Sequence, residues 1–460
     1  MTSRLLPTPE ESRSILRLAG PIVAVQLGMM LMGVVDTAMI GRVSAAALGG
    51  VALGNVSFFG CVVTGMGTLM GLDPLVAQAV GARDQTGIAR SVQRGLVLAL
   101  ALSLPAGGLL LVAESGLQLL GQPAEVTPFA GAYARWTAWS VFPFYVFVVL
   151  RQSLQALHLV RPILLCIVVA NLLNVALNWL LIFGHLGFPA LGVIGAAIAT
   201  TIGRWLMALL LLWIAWAALR PTLRPLRRDA LDIGALGRMV SLGLPIGIMS
   251  LLEYTAFGTV ALLMGRLGTV PVAAHQVAIN IASVTFMVPF GVGQAAAVLV
   301  GNAIGAGEMH RARRHASTSL FYGVGFMGLT ATLFLLVPAA IAKLYTTDPP
   351  TLALAASLIP VAGVFQLFDG MQAVAAGILR GAGDTRVPML VNLTGFWLAG
   401  MPVSLALGFR TALGPVGLWW GLAFGLAVVA LILVARTRSL LRSDVGRVLV
   451  EEARPEAPSI

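Results

Sequence analysis

Charged side chains are the scarcest part of this 460-residue sequence. Asp, Glu, Lys and Arg together make up 10 % of the residues, whereas hydrophobic residues make up 58 %. An ordinary soluble domain carries roughly 25 % charge, and a single soluble core cannot bury so much apolar surface. A soluble globular fold is therefore excluded, and a lipid bilayer is the expected solvent.

The sequence also lacks the residues that several other classes of protein require. Its two cysteines, Cys61 and Cys166, lie inside apolar stretches, so no disulfide framework is expected. Metal-site spacings and nucleophile–base motifs are absent from the sequence. The glycine-rich turns at Gly81 and Gly305 lack the Lys-Ser/Thr of a phosphate-binding loop, which argues against ATP as the energy source. We therefore expect no cofactor and no enzymatic activity.

The sequence does contain a series of apolar runs, each long enough to cross a hydrocarbon layer of about 30 Å. Twelve such runs predict an all-α integral membrane protein with about twelve transmembrane helices. The runs fall at approximately residues 15–38, 51–72, 94–113, 129–150, 162–183, 191–219, 240–264, 275–300, 317–341, 351–377, 387–408 and 416–435.

A repeated pattern, offset by 224 residues, divides these runs into two halves. Six spans in each half give both halves the same orientation, as in transporters built from two lobes with a site between them. The repeat is visible where residues 18–22, 39–42 and 77–82 recur as 242–246, 263–266 and 301–306. The predicted units are a first six-helix lobe at 1–219, a basic cytoplasmic connector at 220–236, a second six-helix lobe at 237–440 and a cytoplasmic tail at 441–460.

The formal net charge of +11 is distributed unevenly along the chain. With the N-terminus inside, the inward segments hold 23 arginines, and the outward loops hold four basic residues. This bias predicts that both termini are cytoplasmic, in the inner membrane of a bacterium. The basic excess is thus interpreted as a topology signal, and no nucleic-acid partner is expected.

Three carboxylates lie inside apolar spans. Glu253 is thirteen residues, or about 20 Å along a helix, from Arg266 at the outer end of its span. Asp369 lies eleven residues before Arg380, also near the middle of the bilayer, and Asp36 lies in the outer half of the first span. A carboxylate at such a depth is costly unless it is hydrated, paired or protonated, so each acid is a candidate functional residue.

The alternative interpretation of these acids is a structural ion pair or a helix cap. The repeat argues against it, because Asp36 corresponds to Val260 and Glu253 corresponds to Met29. These acids break the symmetry of the internal repeat, which residues of a shared scaffold have no need to do. Loss of water around a carboxyl group favours its protonated form, which suits proton exchange, and several oxygens together suit Na⁺. Asp73, which precedes Pro74, is assigned equally to a local cap or kink and to transport.

Other polar residues within the spans are candidates for lining a cavity. Asn174 and Asn178 share one face of the fifth span, and Thr201 lies in the sixth. Such side chains either join helices or form a polar pocket near Asp36. His275 and Gln276 open the eighth span, where a structural hydrogen bond is favoured over proton relay.

Several local motifs resemble the multidrug and toxic compound extrusion (MATE) family over residues 12–440. The resemblance implies two six-helix lobes around a V-shaped cavity with alternating access, and cation-coupling acids at Asp36, Glu253 and Asp369. It also implies a cavity with polar residues such as Asn174 and Asn178, and a possible Na⁺ site at Glu253 and Asp369. The motifs are Asp36-Thr37-Ala38-Met39-Ile40-Gly41-Arg42, Gly81-Ala82-Arg83-Asp84, Leu251-Leu252-Glu253, Ala274-His275-Gln276, residues 301–307, and Leu379-Arg380-Gly381-Ala382-Gly383-Asp384-Thr385.

One position departs from the family pattern. Phe365 stands four residues before Asp369, where some relatives carry an aromatic hydroxyl. This difference leaves the choice between H⁺ and Na⁺ open, with H⁺ at Asp36 preferred. The expected function is export of amphipathic organic cations in exchange for H⁺ or Na⁺, by a protein that acts as a monomer. The alternatives are a flippase for a lipid-linked precursor, whose cavity should be basic, and an intramembrane enzyme, which needs polar catalytic loops.

Overall fold

The computed structural model describes residues 7–449, so the predicted tail beyond position 449 and the first six residues of the first lobe lie outside the described residues. The regular elements of residues 7–449 are all helical. They are α1 (Pro9–Ile40), α2 (Ala45–Leu69), α3 (Leu72–Gly81), α4 (Gln85–Leu111), α5 (Ala113–Leu119), α6 (Thr127–Ala138), α7 (Val141–Ala156), α8 (Arg161–Phe183), α9 (Gly192–Ile214), α10 (Trp216–Leu223), a 3₁₀ turn (Arg228–Leu231), α11 (Ile233–Leu267), α12 (Thr269–Gly305), α13 (Met309–Leu336), α14 (Pro338–Lys343), α15 (Pro349–Gly381), α16 (Arg386–Asn392), a π-helical segment (Leu393–Gly400), α17 (Met401–Phe409) and α18 (Pro415–Leu440).

The predicted all-α membrane fold is confirmed. Eleven of the described helical segments are long and apolar enough to cross a bilayer, and the shorter apolar helix α7 completes the twelve. The predicted run 129–150 falls on both α6 and α7, which are interrupted at Trp139 and Ser140. Ser140 Oγ donates to the carbonyl oxygen of Thr137 at 2.6 Å. Such a bond to the helix backbone competes with the regular pattern and accompanies a bend.

The ends of several helices are set by side-chain caps. Thr8 and Glu11 form a reciprocal capping box at the start of α1, in which Glu11 Oε2 accepts from the Thr8 amide at 2.8 Å. Asp84 caps α4 by accepting from the Gly87 amide at 2.8 Å. These bonds satisfy amide groups that have no partner inside their own helix. Polar residues at the ends of the apolar runs therefore mark where the helices begin.

Each lobe is built from its own contacts between helices. In the first lobe, α8 packs against α1 and α9, α2 packs against α6, and α4 packs against α7. In the second lobe, α15 packs against α12, α13 and α18, while α17 packs against α18. Contacts between the lobes are made by α1 and α3 against α12 and by α2 against α11. The helices that join the lobes thus come from equivalent positions in the two repeats.

The segment between the lobes is held against α4. Gln93 Nε2 donates to the carbonyl oxygens of Thr222 and Pro225, each at 3.0 Å, and its Oε1 accepts from the Arg227 amide at 2.9 Å. Helix α10 enters the predicted connector as far as Leu223, and α11 begins at Ile233 within it. The connector is therefore a partly helical segment that is fixed to the first lobe.

The two lobes meet closely at the end of the molecule that holds residues 216–232, named the connector end below. A Cβ atom at Gly81 would lie 1.9 Å from the carbonyl oxygen of Asn302, and one at Gly305 would lie 1.9 Å from that of Gln78. The two contacts are equivalent, because the repeat relates Gly81 to Gly305 and Gln78 to Asn302. Glycine permits this backbone approach because it has no Cβ. These four residues define a seam that closes the connector end.

Toward the other end of the molecule, the helices that join the lobes are less tightly packed. A Cβ atom at Gly33 of α1 or at Gly258 of α11 would meet nothing within 4 Å, in contrast to the glycines of the seam. Residues 291–300 of α12, toward the connector end, are all buried, whereas its earlier half contains exposed residues. We infer from this burial pattern a cleft between the lobes, bounded by α1, α2, α11 and α12, that opens away from the connector end.

Candidate functional site

In the first lobe, a single carboxylate is surrounded by hydrogen-bond donors. Asn174 and Asn178 of α8 donate through Nδ2 to Asp36 Oδ1 at 2.9 and 2.5 Å. The spacing of four residues places both amides on one face of the helix. Thr200 Oγ1 of α9 lies 3.5 Å from Asp36 Oδ2, so both oxygens of the buried carboxylate have a partner. The first-lobe site thus joins α1, α8 and α9 through one acid.

An arginine of the same lobe contributes to the surroundings of this acid. Arg204 interacts electrostatically with Asp36. Its Nη1 donates to Ser140 Oγ at 2.7 Å, and its guanidinium carbon lies 3.7 Å from the ring centre of Phe58. A cation over an aromatic face is stabilised by the ring quadrupole. A charge on Asp36 therefore has one fixed cation and several fixed dipoles near it within the lobe.

In the second lobe, two carboxylates face each other. Helices α11 and α15 place Glu253 and Asp369 within electrostatic range of one another. Gln372 Nε2 donates to Glu253 Oε1 and also to Asn392 Oδ1, the latter at 3.2 Å. Within residues 7–449, no basic side chain contributes to the surroundings of either acid. An exchangeable cation, such as a proton, Na⁺ or an organic cation, is what this pair can accept chemically.

Sequence reasoning missed two of the residues in this second site. Gln372 lies three residues after Asp369 and therefore on the same face of α15, a signal that the helical period does provide. Asn392 had no such signal, because it lies in a separate apolar run and adjoins the π-helical segment. Trp397 in that segment donates through Nε1 to the carbonyl oxygen of Leu252 at 3.2 Å, next to Glu253. Irregular π turns often occur at functional sites.

The remaining predicted residues lie apart from the acids or in the core. Thr201 Oγ1 donates to a backbone carbonyl of α6 at 3.0 Å, so Thr200 is the threonine that reaches Asp36. His275 is buried with its ring centre 5.6 Å from that of Trp419, and Gln276 is exposed. Phe365 is also buried, with its ring centre 5.7 Å from Trp419. Neither His275 nor Phe365 is thus an open cavity residue in this conformation.

No cluster of three or more His, Cys, Asp or Glu side chains with the geometry of a metal site occurs within residues 7–449. The two acidic sites lie in different lobes, on either side of the cleft, and differ in the groups around them. Asp36 has neutral hydrogen-bond donors and one cation, Arg204, around it, whereas Glu253 and Asp369 have each other. The arrangement suits reversible binding of cations between two lobes rather than covalent chemistry.

Comparison with known proteins identifies relatives of the whole chain. The MatE family model matches residues 21–180 and again residues 245–405, two stretches that begin 224 residues apart. A protein of Rhizobium meliloti (strain 1021) named "Probable multidrug resistance protein NorM" is 39 % identical over 443 residues, or 94 % of each chain. "Multidrug resistance protein MdtK" of Yersinia pseudotuberculosis serotype O:1b (strain IP 31758) is 34 % identical over 96 % of this chain and 98 % of its own.

A solved structure supports the same fold. The crystal structure of the eukaryotic MATE transporter AtDTX14 superposes with a TM-score of 0.86 at 24 % sequence identity, covering 94 % of this chain and 98 % of that one. The likeness extends over both lobes, as do the sequence matches. This chain therefore belongs to the MatE family and is a multi-pass membrane transporter rather than an enzyme.

Proposed function

We propose that this transporter is an antiporter that exports amphipathic organic cations while protons move inward. The names of its relatives refer to multidrug resistance, which supports export of small organic molecules. The cleft would open alternately at its two ends, with substrate and proton competing for the same acids. Such exchange follows when each cation stabilises a different arrangement of the lobes.

The observation that carries this proposal is the pair of carboxylates in the second lobe. Glu253 and Asp369 interact with each other, and within residues 7–449 neither has a basic partner. Two negative charges in a medium of low dielectric constant repel strongly, so a bound cation is needed to balance them. Either a proton or a cationic substrate satisfies this need, and both cannot do so at once in a confined site.

The proton is preferred over Na⁺ because the side chain that contacts the pair does so through a nitrogen, and the position one turn before Asp369 carries no oxygen. Gln372 donates its amide nitrogen to Glu253, and Phe365, one turn from Asp369, offers no oxygen at all. A hard metal cation binds through several oxygen ligands, whereas a proton needs one acid. Na⁺ as the coupling ion remains the alternative that the experiment below separates.

A lipid-linked precursor flippase is not favoured by the positions of the buried arginines. A flippase of this kind needs cations in the cleft to hold a pyrophosphate group. Arg204 is engaged with Ser140 and Phe58 inside the first lobe, and Arg151 donates to Gln26 at 3.3 Å. Asp36 and Glu253, by contrast, belong to α1 and α11, two of the helices that flank the cleft. An organic cation with apolar surface matches both the acids and the apolar helices.

The proposal includes an orientation in the membrane. The inward segments hold 23 arginines against four basic residues outside, which supports a cytoplasmic connector end and cytoplasmic termini in the bacterial inner membrane. The cleft described above then opens to the periplasm. The protein is proposed to act as a monomer, because one chain supplies both lobes. A topology reporter fused after Arg228 that was active only in the periplasm would contradict this orientation.

The deciding experiment measures efflux of a fluorescent organic cation from proteoliposomes under separately imposed gradients of pH and Na⁺. A pH gradient alone, in sodium-free buffer, is expected to drive transport. Vesicles with Glu253→Gln and Asp369→Asn together serve as the inactive control, because they retain the fold without the carboxylates. If transport requires Na⁺ at constant pH, the coupling ion is Na⁺ and not the proton. If transport occurs with neither gradient, it is not coupled to an ion.

A further inference from the structure

A buried ion pair connects the two lobes beside the seam. Asp73 lies in the first turn of α3, in the first lobe, and Arg380 lies in the last turn of α15, in the second. Arg380 Nε is 3.0 Å from Asp73 Oδ2, and each residue is 8 % exposed. The carboxylate of Asp73 therefore contacts the opposite lobe, which a helix cap does not require.

A second buried arginine lies beside this pair. Arg151 of α7, in the first lobe, interacts electrostatically with both Asp73 and Arg380. It is 4 % exposed and donates through Nη1 to Gln26 Oε1 at 3.3 Å. The group thus contains two guanidinium ions and one carboxylate. Because breaking a buried ion pair leaves an uncompensated charge, Asp73 is the member whose loss would be the most costly to this conformation.

The ion pair and the seam share helix α3, which contacts α15 through the ion pair and α12 through the seam. Gln78, on the helix that carries Asp73, donates through Nε2 to the carbonyl oxygen of Gly381, next to Arg380, at 3.0 Å. A Cβ atom at Gly301 would lie 2.8 Å from the Cβ of Ala77, so α3 and α12 are also in close contact here. Separation of the lobes at the connector end must therefore break the contact between Asp73 and Arg380.

We propose that Asp73 and Arg380 are positioning residues that lock the connector end in its closed state. The inference rests on the proposed function, because alternating access is what requires this end to open. In the closed state the charges are buried and need one another. In the open state water reaches them, so the loss of one partner penalises the closed state selectively.

The unequal charges of the group give the lock a distinctive mutational signature. Without Asp73, the closed state buries two unbalanced guanidinium ions, and the equilibrium shifts strongly toward opening. Without Arg380, Asp73 is still balanced by Arg151, and the shift is smaller. In the double variant Asp73→Asn/Arg380→Gln, one unbalanced cation remains, so opening decreases relative to Asp73→Asn alone. If the residue pair merely supported the fold, adding Arg380→Gln to Asp73→Asn would not decrease the opening.

The test measures the distance between the lobes in the full-length protein reconstituted in nanodiscs. Spin labels are placed at the exposed positions Gln85, in the first lobe, and His310, in the second, after replacement of Cys61 and Cys166 by alanine. Electron–electron double resonance then gives the populations of the closed and open connector end. Thermal unfolding of each variant is measured in parallel.

Asp73→Asn is expected to raise the open-to-closed ratio roughly tenfold or more, in keeping with the cost of breaking a buried pair. Arg380→Gln and the double variant are expected to give smaller increases. Asp384→Asn is the matched control, because it removes a pair with Arg436, at 2.7 Å, that is formed at the same end but within one lobe. This control is expected to leave the distance distribution unchanged.

Equal populations in Asp73→Asn and the parent protein would overturn the lock, as would a double variant that opens further than Asp73→Asn. If Asp73→Asn does not accumulate as folded protein, Arg380→Gln is compared with the double variant instead. The double variant is expected to accumulate as folded protein, because it leaves one unbalanced cation where Asp73→Asn leaves two. The distances are read without substrate or ion gradient. A shift in distance without any coupled efflux by the parent protein would therefore reject the proposed antiport and retain the lock.

Discussion

Asp36 in the first lobe and Glu253 in the second are both intramembrane acids, yet their neighbours differ in kind. Asp36 accepts from two asparagines, is 3.5 Å from a threonine hydroxyl and interacts with Arg204. Glu253 has one amide donor and interacts with a second carboxylate, Asp369. The first lobe thus surrounds its acid with donors and one cation, whereas the second brings two acids together without a cation among the contributing groups of residues 7–449. Duplication supplied two similar scaffolds, and the substituted polar residues made them unequal.

The largest effect is expected from neutralising the second-lobe pair. Glu253→Gln and Asp369→Asn should each abolish coupled efflux. The single carboxylate that remains has no second negative charge beside it, so it no longer needs a bound cation for balance. Thermal stability should be unchanged or higher, since the repulsion between two neighbouring, half-buried charges is removed. Efflux from proteoliposomes and melting temperature in detergent check the two outcomes. Wild-type efflux by either variant would reduce that acid to a structural role.

Asp36→Asn should show the opposite effect on stability. The substitution places an amide group opposite two amide donors, and hydrogen bonds to a charged acceptor contribute roughly 1.5–3 kcal/mol each. We expect a loss of about 2 kcal/mol in the free energy of unfolding, together with reduced efflux. Thermal unfolding of Asp36→Asn and Glu253→Gln under identical conditions measures the contrast. If both variants were equally stable, the two lobes would not differ in the way described here.

A smaller effect is expected at Gln372, which connects Glu253 to Asn392. Gln372→Leu removes the donor to Glu253 and preserves most of the side-chain volume. The loss of one hydrogen bond to a carboxylate corresponds to roughly a tenfold change in the ion concentration for half-maximal transport. The measurement is efflux as a function of imposed pH or Na⁺ gradient. An unchanged concentration dependence would show that Gln372 does not affect ion binding by Glu253 and Asp369.

The smallest difference is expected between Asp84 and its repeat counterpart Glu308. Burial acts to raise the pKa of Asp84, but the Gly87 amide and the Arg447 guanidinium outweigh it and lower the pKa below the usual value. The stabilisation is thus present near neutral pH and is lost as the pH falls through that lowered pKa. Asp84→Asn should cost under about 1 kcal/mol at pH 7 because the pair with Arg447 is partly exposed.

Glu308→Gln is the matched variant for this comparison. Glu308 pairs with Arg311 in its own helix, at 2.6 Å, and has no side-chain cap bond. It should therefore have less effect on unfolding than Asp84→Asn. Chemical denaturation at pH 7 and at pH 3 measures both differences, and the Asp84→Asn difference should shrink at the lower pH. A difference that grew on acidification would contradict the assigned pairing.

The sequence was sufficient to predict the membrane fold because apolar runs and their spacing determine which segments can cross a bilayer. It also placed Asn174 beside Asn178, since residues four apart share a helix face, whereas a pocket of these amides near Asp36 is one of two interpretations that the residues leave open. It could not place Gln372 against Glu253, or Asp73 against Arg380, because these contacts join helices that are distant along the chain. Ser140 shows a further limit, as one hydroxyl interrupts a run whose hydropathy is continuous.

The seam has a consequence for how the two halves respond to mutation. Gly81 packs on the backbone of Asn302, and Gly305 packs in the same way on Gln78, so each half offers the same patch to the other. This is the isologous geometry of a two-fold homodimer, in which every change is felt at two symmetric places. In a duplicated chain the two places mutate independently. One half can therefore be altered at the seam while the other preserves its contact, as two subunits encoded by a single gene never can.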